Sequence, residues 1–153
     1  ETEEYGISSF VYKTKSPFDP DRLWRYFQSQ FPSTILRSKG LFWLASRPSQ
    51  AMVWGQAGGS LNADSAGVWW SSMPLAKRNQ FEAFTENQEE IDSTWHSIFG
   101  DRKTEIVIIG REMDEEGIRA KLNACLSTNE EIIAGRWEDG YEDDWPVDRA
   151  YAF

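Results

Sequence analysis

Ile35-Leu36-Arg37-Ser38-Lys39-Gly40-Leu41-Phe42-Trp43-Leu44, continued by Trp54-Gly55-Gln56-Ala57-Gly58-Gly59-Ser60, is the stretch around which the chain is organised. Successive side chains of a strand point to opposite faces, so residues 35 to 45 separate by parity. Leu36, Ser38, Gly40, Phe42 and Leu44 form a largely apolar face. Ile35, Arg37, Lys39, Leu41 and Trp43 form the other, with two cations at one end and a Trp at the other. Gly40 within such a strand marks either a bulge or a close approach of backbone. After Arg47-Pro48, Met52-Val53-Trp54 reads as a partner strand ending at the glycine pair 58 and 59. The hairpin is a scaffold with a recognition face. It carries no nucleophile, phosphate loop or metal cluster.

Working outward, Ile7 to Lys13 alternates as a first strand. Asp19-Pro20 reads as an N-cap followed by proline at the first helical position, and Leu23, Trp24, Phe27 and Phe31 continue at helical spacing up to Phe31-Pro32. Gly59 to Ala63 and Gly67 to Ser71 read as short strand pieces. Phe81 to Trp95 holds a narrow stripe (Phe81, Phe84, Ile91, Trp95) and predicts one surface helix. Ile106-Val107-Ile108-Ile109 is a run of four β-branched residues, which argues for an inner strand covered on both faces. Asp114 caps a helix whose buried stripe is Ile118, Leu122, Cys125 and Leu126. Thr128 with Glu131 is a capping box for a last short helix. Strands joined by short turns favour antiparallel pairing, so the expected fold is α+β, a two-layer, mostly antiparallel sheet with helices on one face. The domain is expected over residues 1–135, with an acidic, aromatic tail over 136–153.

Composition narrows the function. Eight Trp, nine Phe and five Tyr in 153 residues make an aromatic core. The net charge of −9 disfavours a nucleic-acid partner. No apolar run approaches the ~20 residues that span a membrane. The one cysteine excludes an internal disulfide and fits a reducing compartment. The chain opens Glu1-Thr2-Glu3-Glu4 without Met, which suggests a fragment or a processed start.

Candidate sites divide into three groups. Arg37, Lys39, Arg47, Arg102 and Lys103 form one basic face if the Arg102 turn lies beside the central hairpin; otherwise they are solvated charges balancing Asp101 and Glu105. Trp54, Trp69 and Trp70 offer a sugar-stacking platform if two rings are exposed and coplanar; the alternative is packing under a loop or at the sheet edge. His96, Cys125 and the tail carboxylates Asp143 and Asp144 would be needed for a metal site. A structural zinc site normally takes four N or S ligands, so Cys125 reads instead as a small core residue and the tail as solvated. One histidine assembles no Ser-His-Asp or Cys-His arrangement. The glycines at 55, 58 and 59 match neither G-x-x-x-x-G-K-[ST] nor G-x-G-x-x-G and read as turn glycines. The residues therefore describe a non-catalytic domain with a recognition surface.

The wording of the sequence carries a resemblance as well. Tyr5 to Tyr12 (Y-G-I-S-S-F-V-Y), Phe18 to Leu23 (F-D-P-D-R-L), Leu36 to Pro48 (L-R-S-K-G-L-F-W-L-A-S-R-P), Trp54 to Leu61 (W-G-Q-A-G-G-S-L), Ala66 to Trp70 (A-G-V-W-W), Gly100 to Gly110 (G-D-R-K-T-E-I-V-I-I-G) and Ala124 to Glu131 (A-C-L-S-T-N-E-E) closely resemble the C-terminal domain of the CobW family. R-S-K-G together with W-x-Q-A-G-G and G-D-R-x-x-E is the specific combination. The tail follows the pattern loosely, at Trp137 and Trp145-Pro146.

The resemblance implies a cytoplasmic P-loop GTPase of the metallochaperone type, linked to zinc homeostasis and to cobalt delivery in cobalamin synthesis. In that family GTP, Mg2+ and the Zn2+ or Co2+ cargo belong to an N-terminal domain with a Walker loop and a C-x-C-C motif, neither of which occurs here. This chain is then the second domain, without catalytic groups or cofactors of its own. Its implied partners are its own N-terminal GTPase domain, a second copy, or a metal-receiving client protein. The residues expected to form or support the contact surface are Arg37, Lys39, Trp43, Trp54, Gln56, Asp101 and Arg102.

Overall fold

Five alternating segments pair into one antiparallel sheet: β1 (Ile7–Thr14), β2 (Ile35–Phe42), β3 (Gln50–Ala57), β4 (Ser60–Val68) and β5 (Thr104–Arg111). The computed structural model describes residues 5–133 and 141–148. The strand order is β1-β5-β2-β3-β4, every neighbouring pair being antiparallel. Helix α1 (Pro20–Ser29) connects β1 to β2, and α5 (Glu115–Ala124) follows β5. Leu23 and Tyr26 of α1 and Ile118 and Leu122 of α5 join Phe10, Tyr12, Phe42, Met52, Trp54, Ile106 and Ile108 in one buried cluster. Both helices therefore cover the same face, giving the expected two-layer α+β architecture.

The predicted helix signals are met by atoms. Asp19 accepts from the backbone N–H of Asp21 and Arg22, each at 3.0 Å, with Pro20 at the first helical position. Helix α1 ends at Ser29, two residues earlier than Phe31-Pro32 suggested. Asp114 accepts from the Gly117 N–H at 3.1 Å. The capping box at the start of α6 (Asn129–Ile133) is reciprocal: Thr128 N–H donates to Glu131 Oε1 at 2.9 Å and Glu131 N–H to Thr128 Oγ1 at 3.2 Å.

Five expectations are corrected. Strict parity put Leu36 on the core face of β2, but Ile35 is 2% exposed and Leu36 45%. Ile35 pairs with Gly110 and Arg37 with Ile109, so Leu36 is an extra residue, and the bulge reverses the phase at the start of the strand. Gly40 lies away from that bulge and is the close approach: an added Cβ would stand 1.9 Å from the Glu105 carbonyl oxygen.

The two strand pieces around 59–71 are instead one strand, β4, followed by a 3-10 turn at Trp70–Ser72. The single helix over 81–95 is divided into α3 (Glu82–Thr85) and α4 (Gln88–Ser93), preceded by α2 (Leu75–Arg78). Phe81, with extended backbone (φ −105°, ψ 124°), separates α2 from α3, and Asn87 (φ −115°, ψ 15°) interrupts the helical path between α3 and α4, while the rings of Phe81 and Phe84 pack on Trp70.

Strand β5 is an inner strand, but among the described residues only one of its faces is covered. Ile106 and Ile108 are buried, whereas Val107 is 43% exposed and Ile109 37%.

The tail was expected to be solvated, and over 141–148 it is packed. Trp145 joins the main core, 5.0 Å from the Trp24 ring and 5.3 Å from that of Phe42. Arg136, Trp137, Glu138 and Asp139 lie outside the described residues.

Candidate functional site

The uncovered face of the sheet is ordered in three rows by strand register. Ser9, Ile109, Arg37 and Ala57 make the first; Val11, Val107, Lys39 and Gly55 the second; Lys13, Glu105, Leu41 and Val53 the third. Two cations on β2 thus stand beside a β-branched patch on β5. Across from them β3 offers only Gly55 and Ala57, and the small side chains leave a shallow hollow of about 280 Å³. A second hollow of about 420 Å³ adjoins it between Arg37, Lys39, Val107 and Ile109. Among the described residues neither Arg37 nor Lys39 has an ion-pair partner, while Lys103 meets Glu105 at 3.5 Å. An apolar floor with unpaired cations suits a partner that brings apolar groups and carboxylates.

The other five named residues sit elsewhere. Trp54 and Gln56 face the core beneath the hairpin: Trp54 Nε1 donates to Ser38 Oγ at 2.8 Å, Ser38 Oγ to Gln56 Oε1 at 2.7 Å, and Gln56 Nε2 to the Gly58 carbonyl at 2.8 Å. Trp43 is buried at one end of the sheet with Ala51, Trp69 and Phe99. Asp101 caps the 3-10 turn, accepting from Trp70 N–H at 2.8 Å and Ser71 N–H at 2.9 Å. Arg102 lies over the Trp43 ring and donates to the carbonyls of Pro48 and Phe99 and to Ser72 Oγ. Gly100-Asp101-Arg102 is therefore a clasp joining the entry of β5 to the loops after β2 and β4. Charge on a turn gives no sign of such burial, because the groups that receive it come from distant segments.

The expected basic face is likewise redistributed. Arg102 is buried in its clasp. Arg47 is buried too, held bidentately by Asp143 at 2.9 and 3.0 Å. Burial opposes ionisation of Asp143, but hydrogen bonds from Arg47 and Ser46 and the Arg47 charge hold its carboxyl below the usual range. Only Arg37 and Lys39, with Lys103 at the margin, remain of the five.

The sugar platform has no geometry to support it. Trp54 and Trp69 are buried, and Trp70 is half-buried against Phe81 and Phe84.

His96 Nδ1 accepts from the backbone N–H of Ile98 at 3.0 Å and Phe99 at 3.1 Å. The Cys125 thiol, in the main core, is pushed up to about 11 by burial, so it stays protonated at neutral pH. Among the described residues no three His, Cys, Asp or Glu side chains stand close enough to hold a metal ion. No described helix is long and apolar enough to cross a membrane.

Sequence reasoning missed Val107 and Ile109 as surface residues. Their signal was nonetheless present: a strand patterned for cover on both faces receives cover on one.

Comparison with known proteins agrees with this fold. The sequence profile described as "Cobalamin synthesis protein cobW C-terminal domain" matches residues 7–126. The chain is 37% identical over 139 residues to the zinc-regulated GTPase metalloprotein activator 1 of Dictyostelium discoideum, covering 89% of this chain and 28% of that protein. It is 30% identical over 147 residues to a zinc chaperone of Mycobacterium tuberculosis, covering 93% of this chain and 36% of that one. The crystal structure of the Zn(II)-bound YjiA GTPase from E. coli superposes with a TM-score of 0.55 at 19% identity, over 80% of this chain and 30% of the other, a likeness of fold. The chain thus spans roughly a third of the length of the relatives it matches.

Proposed function

This chain belongs to the family of the cobalamin synthesis protein cobW C-terminal domain, and on that premise we propose that it is the interaction and regulatory domain of a GTP-dependent metal chaperone. Its open sheet face docks on the GTPase domain of the same protein. The relatives' names, a zinc-regulated GTPase activator and a zinc chaperone, favour zinc over cobalt as the cargo. GTP, Mg2+ and the cargo metal are held by the GTPase domain. The contribution of this chain is a shaped surface whose contact depends on nucleotide state, a coupling between two sites.

One observation carries this reading. β5 has the composition of a strand covered on both faces, and Val107 and Ile109 stay exposed beside Arg37 and Lys39, which have no ion-pair partner among the described residues. Removing such a patch from water on docking contributes roughly 25 cal/mol per Å² of apolar area, and the cations select an acidic partner surface.

The test is calorimetric binding of this chain to the separately purified GTPase domain, loaded in turn with GTP and GDP. Saturable binding that differs between the nucleotides is expected, and Val107→Glu with Ile109→Glu should weaken it at least tenfold. Binding unchanged by that pair overturns the docking face. GTP hydrolysis by this chain alone, at a rate comparable to a full-length relative, overturns the assignment of chemistry to the other domain.

A further inference from the structure

Residues 141–148 cross the molecule without joining it through secondary structure. They form no strand or helix, and they are gripped by side chains. Arg47 holds both carboxylate oxygens of Asp143 and donates to the main-chain carbonyls of Trp145, at 2.9 Å, and Val147. Gln50 Nε2 donates to the Asp148 carbonyl at 2.7 Å, and Ser46 Oγ to Asp143 Oδ2 at 2.6 Å. Trp145 is the anchor: its ring meets Trp24 and Phe42, and its Nε1 donates to the Pro20 carbonyl at 2.9 Å.

One aromatic anchor, one bidentate charge and side-chain donors reading the carbonyls of Trp145, Val147 and Asp148 make up a way of recognising an extended peptide. We propose that this groove is a peptide-binding site for acidic segments of the form Asp-x-Trp, occupied in cis by residues 141–148, which leave and return while the sheet stays folded.

Two further features support separability. The family match covers residues 7–126, so Ser46, Arg47 and Gln50 of the groove lie inside it and the segment they hold lies outside. The ion pair also tolerates the segment's departure. The Arg47 and Asp143 side chains are 4% and 1% exposed, and breaking a buried pair is costly where a charge remains buried. When the whole segment lifts, water reaches Arg47 and no buried charge is stranded. The tethered tail competes at an effective concentration near millimolar, so a free peptide gains the groove only when the tail is weakened. This proposal is separate from docking through the open face, and its test involves no GTPase domain.

The full chain supplies its own internal reference, because Trp145 and Trp54 both carry buried, hydrogen-bonded indole N–H groups. In the wild-type protein the Trp145 indole proton should exchange with deuterium at least tenfold faster than that of Trp54. Asp143→Asn should accelerate Trp145 at least tenfold more and leave Trp54 unchanged. A fluorescein-labelled peptide of the sequence Tyr141 to Asp148 should bind Trp145→Ala or Asp143→Asn chains saturably, and the same peptide with Ala at the Trp position should not. Equal exchange of both indoles in the wild type shows that the tail opens only with the whole domain, and it overturns the proposal. So does a folded variant that ignores the peptide. The wild-type comparison decides the matter even if the Trp145 variant fails to fold.

Discussion

The two faces of the sheet are built from the same strands, yet they carry different duties. On the covered face Phe10, Tyr12, Phe42, Met52, Trp54, Ile106 and Ile108 interlock with two helices and Trp145. On the open face Val107 and Ile109 lie beside Arg37 and Lys39 with helices nowhere over them among the described residues. Close packing makes the first face intolerant of changed volume, whereas a surface exposed in the isolated domain contributes little to its stability. A single β-branched run can therefore supply core at its even positions and leave its odd ones exposed.

That contrast breaks first, and hardest, at Trp54. Trp54→Ala removes a ring in contact with Phe27, Phe42 and Trp145 and should cost about 3–5 kcal/mol, read as a lowered midpoint in urea denaturation. A loss below about 1 kcal/mol would mean that the covered face is not the cohesive one.

Ser38→Ala comes next. It leaves Trp54 Nε1 and Gln56 Oε1 without their shared partner and should cost about 1–3 kcal/mol by the same assay.

Acid sharpens the comparison further. The Asp143 carboxyl titrates lower in the folded chain than in the unfolded one, so its contribution is fully present above the unfolded value near ~3.9 and is lost as pH falls through the folded value. Acidification through that window should free the tail before the sheet melts. Trp145 fluorescence should then change ahead of far-ultraviolet circular dichroism, and Asp143→Asn should abolish that early step.

The smallest effect belongs to the open face. Val107→Thr with Ile109→Thr should change stability by less than about 1 kcal/mol while weakening binding to the GTPase domain at least tenfold. Arg37→Ala with Lys39→Ala should be equally mild on stability and should flatten the salt dependence of that binding, measured between low and high ionic strength.

Much of this arrangement was legible in residue order because its causes are local. The Asp19 cap, the Pro20 start, the Thr128–Glu131 box and the glycine-led turn between β3 and β4 are each specified within four residues. The antiparallel α+β layout followed from short turns between alternating runs. The candidate site was legible only in part. Arg37 and Lys39 fell on the open face as alternation required, but Arg47 and Arg102, of the same charge, and Asp101, of the opposite one, are consumed by distant partners. One extra residue at Leu36 was enough to invert the expected facing of Ile35.

What residue order settled is what neighbours along the chain settle: helix starts, turns, the pairing sense of the strands, and the family to which the words belong. What required the folded chain is which charges are buried, which half of β5 stays open, and where the tail seats its Trp. These depend on contacts between segments about a hundred residues apart, such as Arg47 with Asp143 and Trp145 with Pro20. No local propensity encodes such a contact, because its free energy exists only once both segments have been brought together and desolvated.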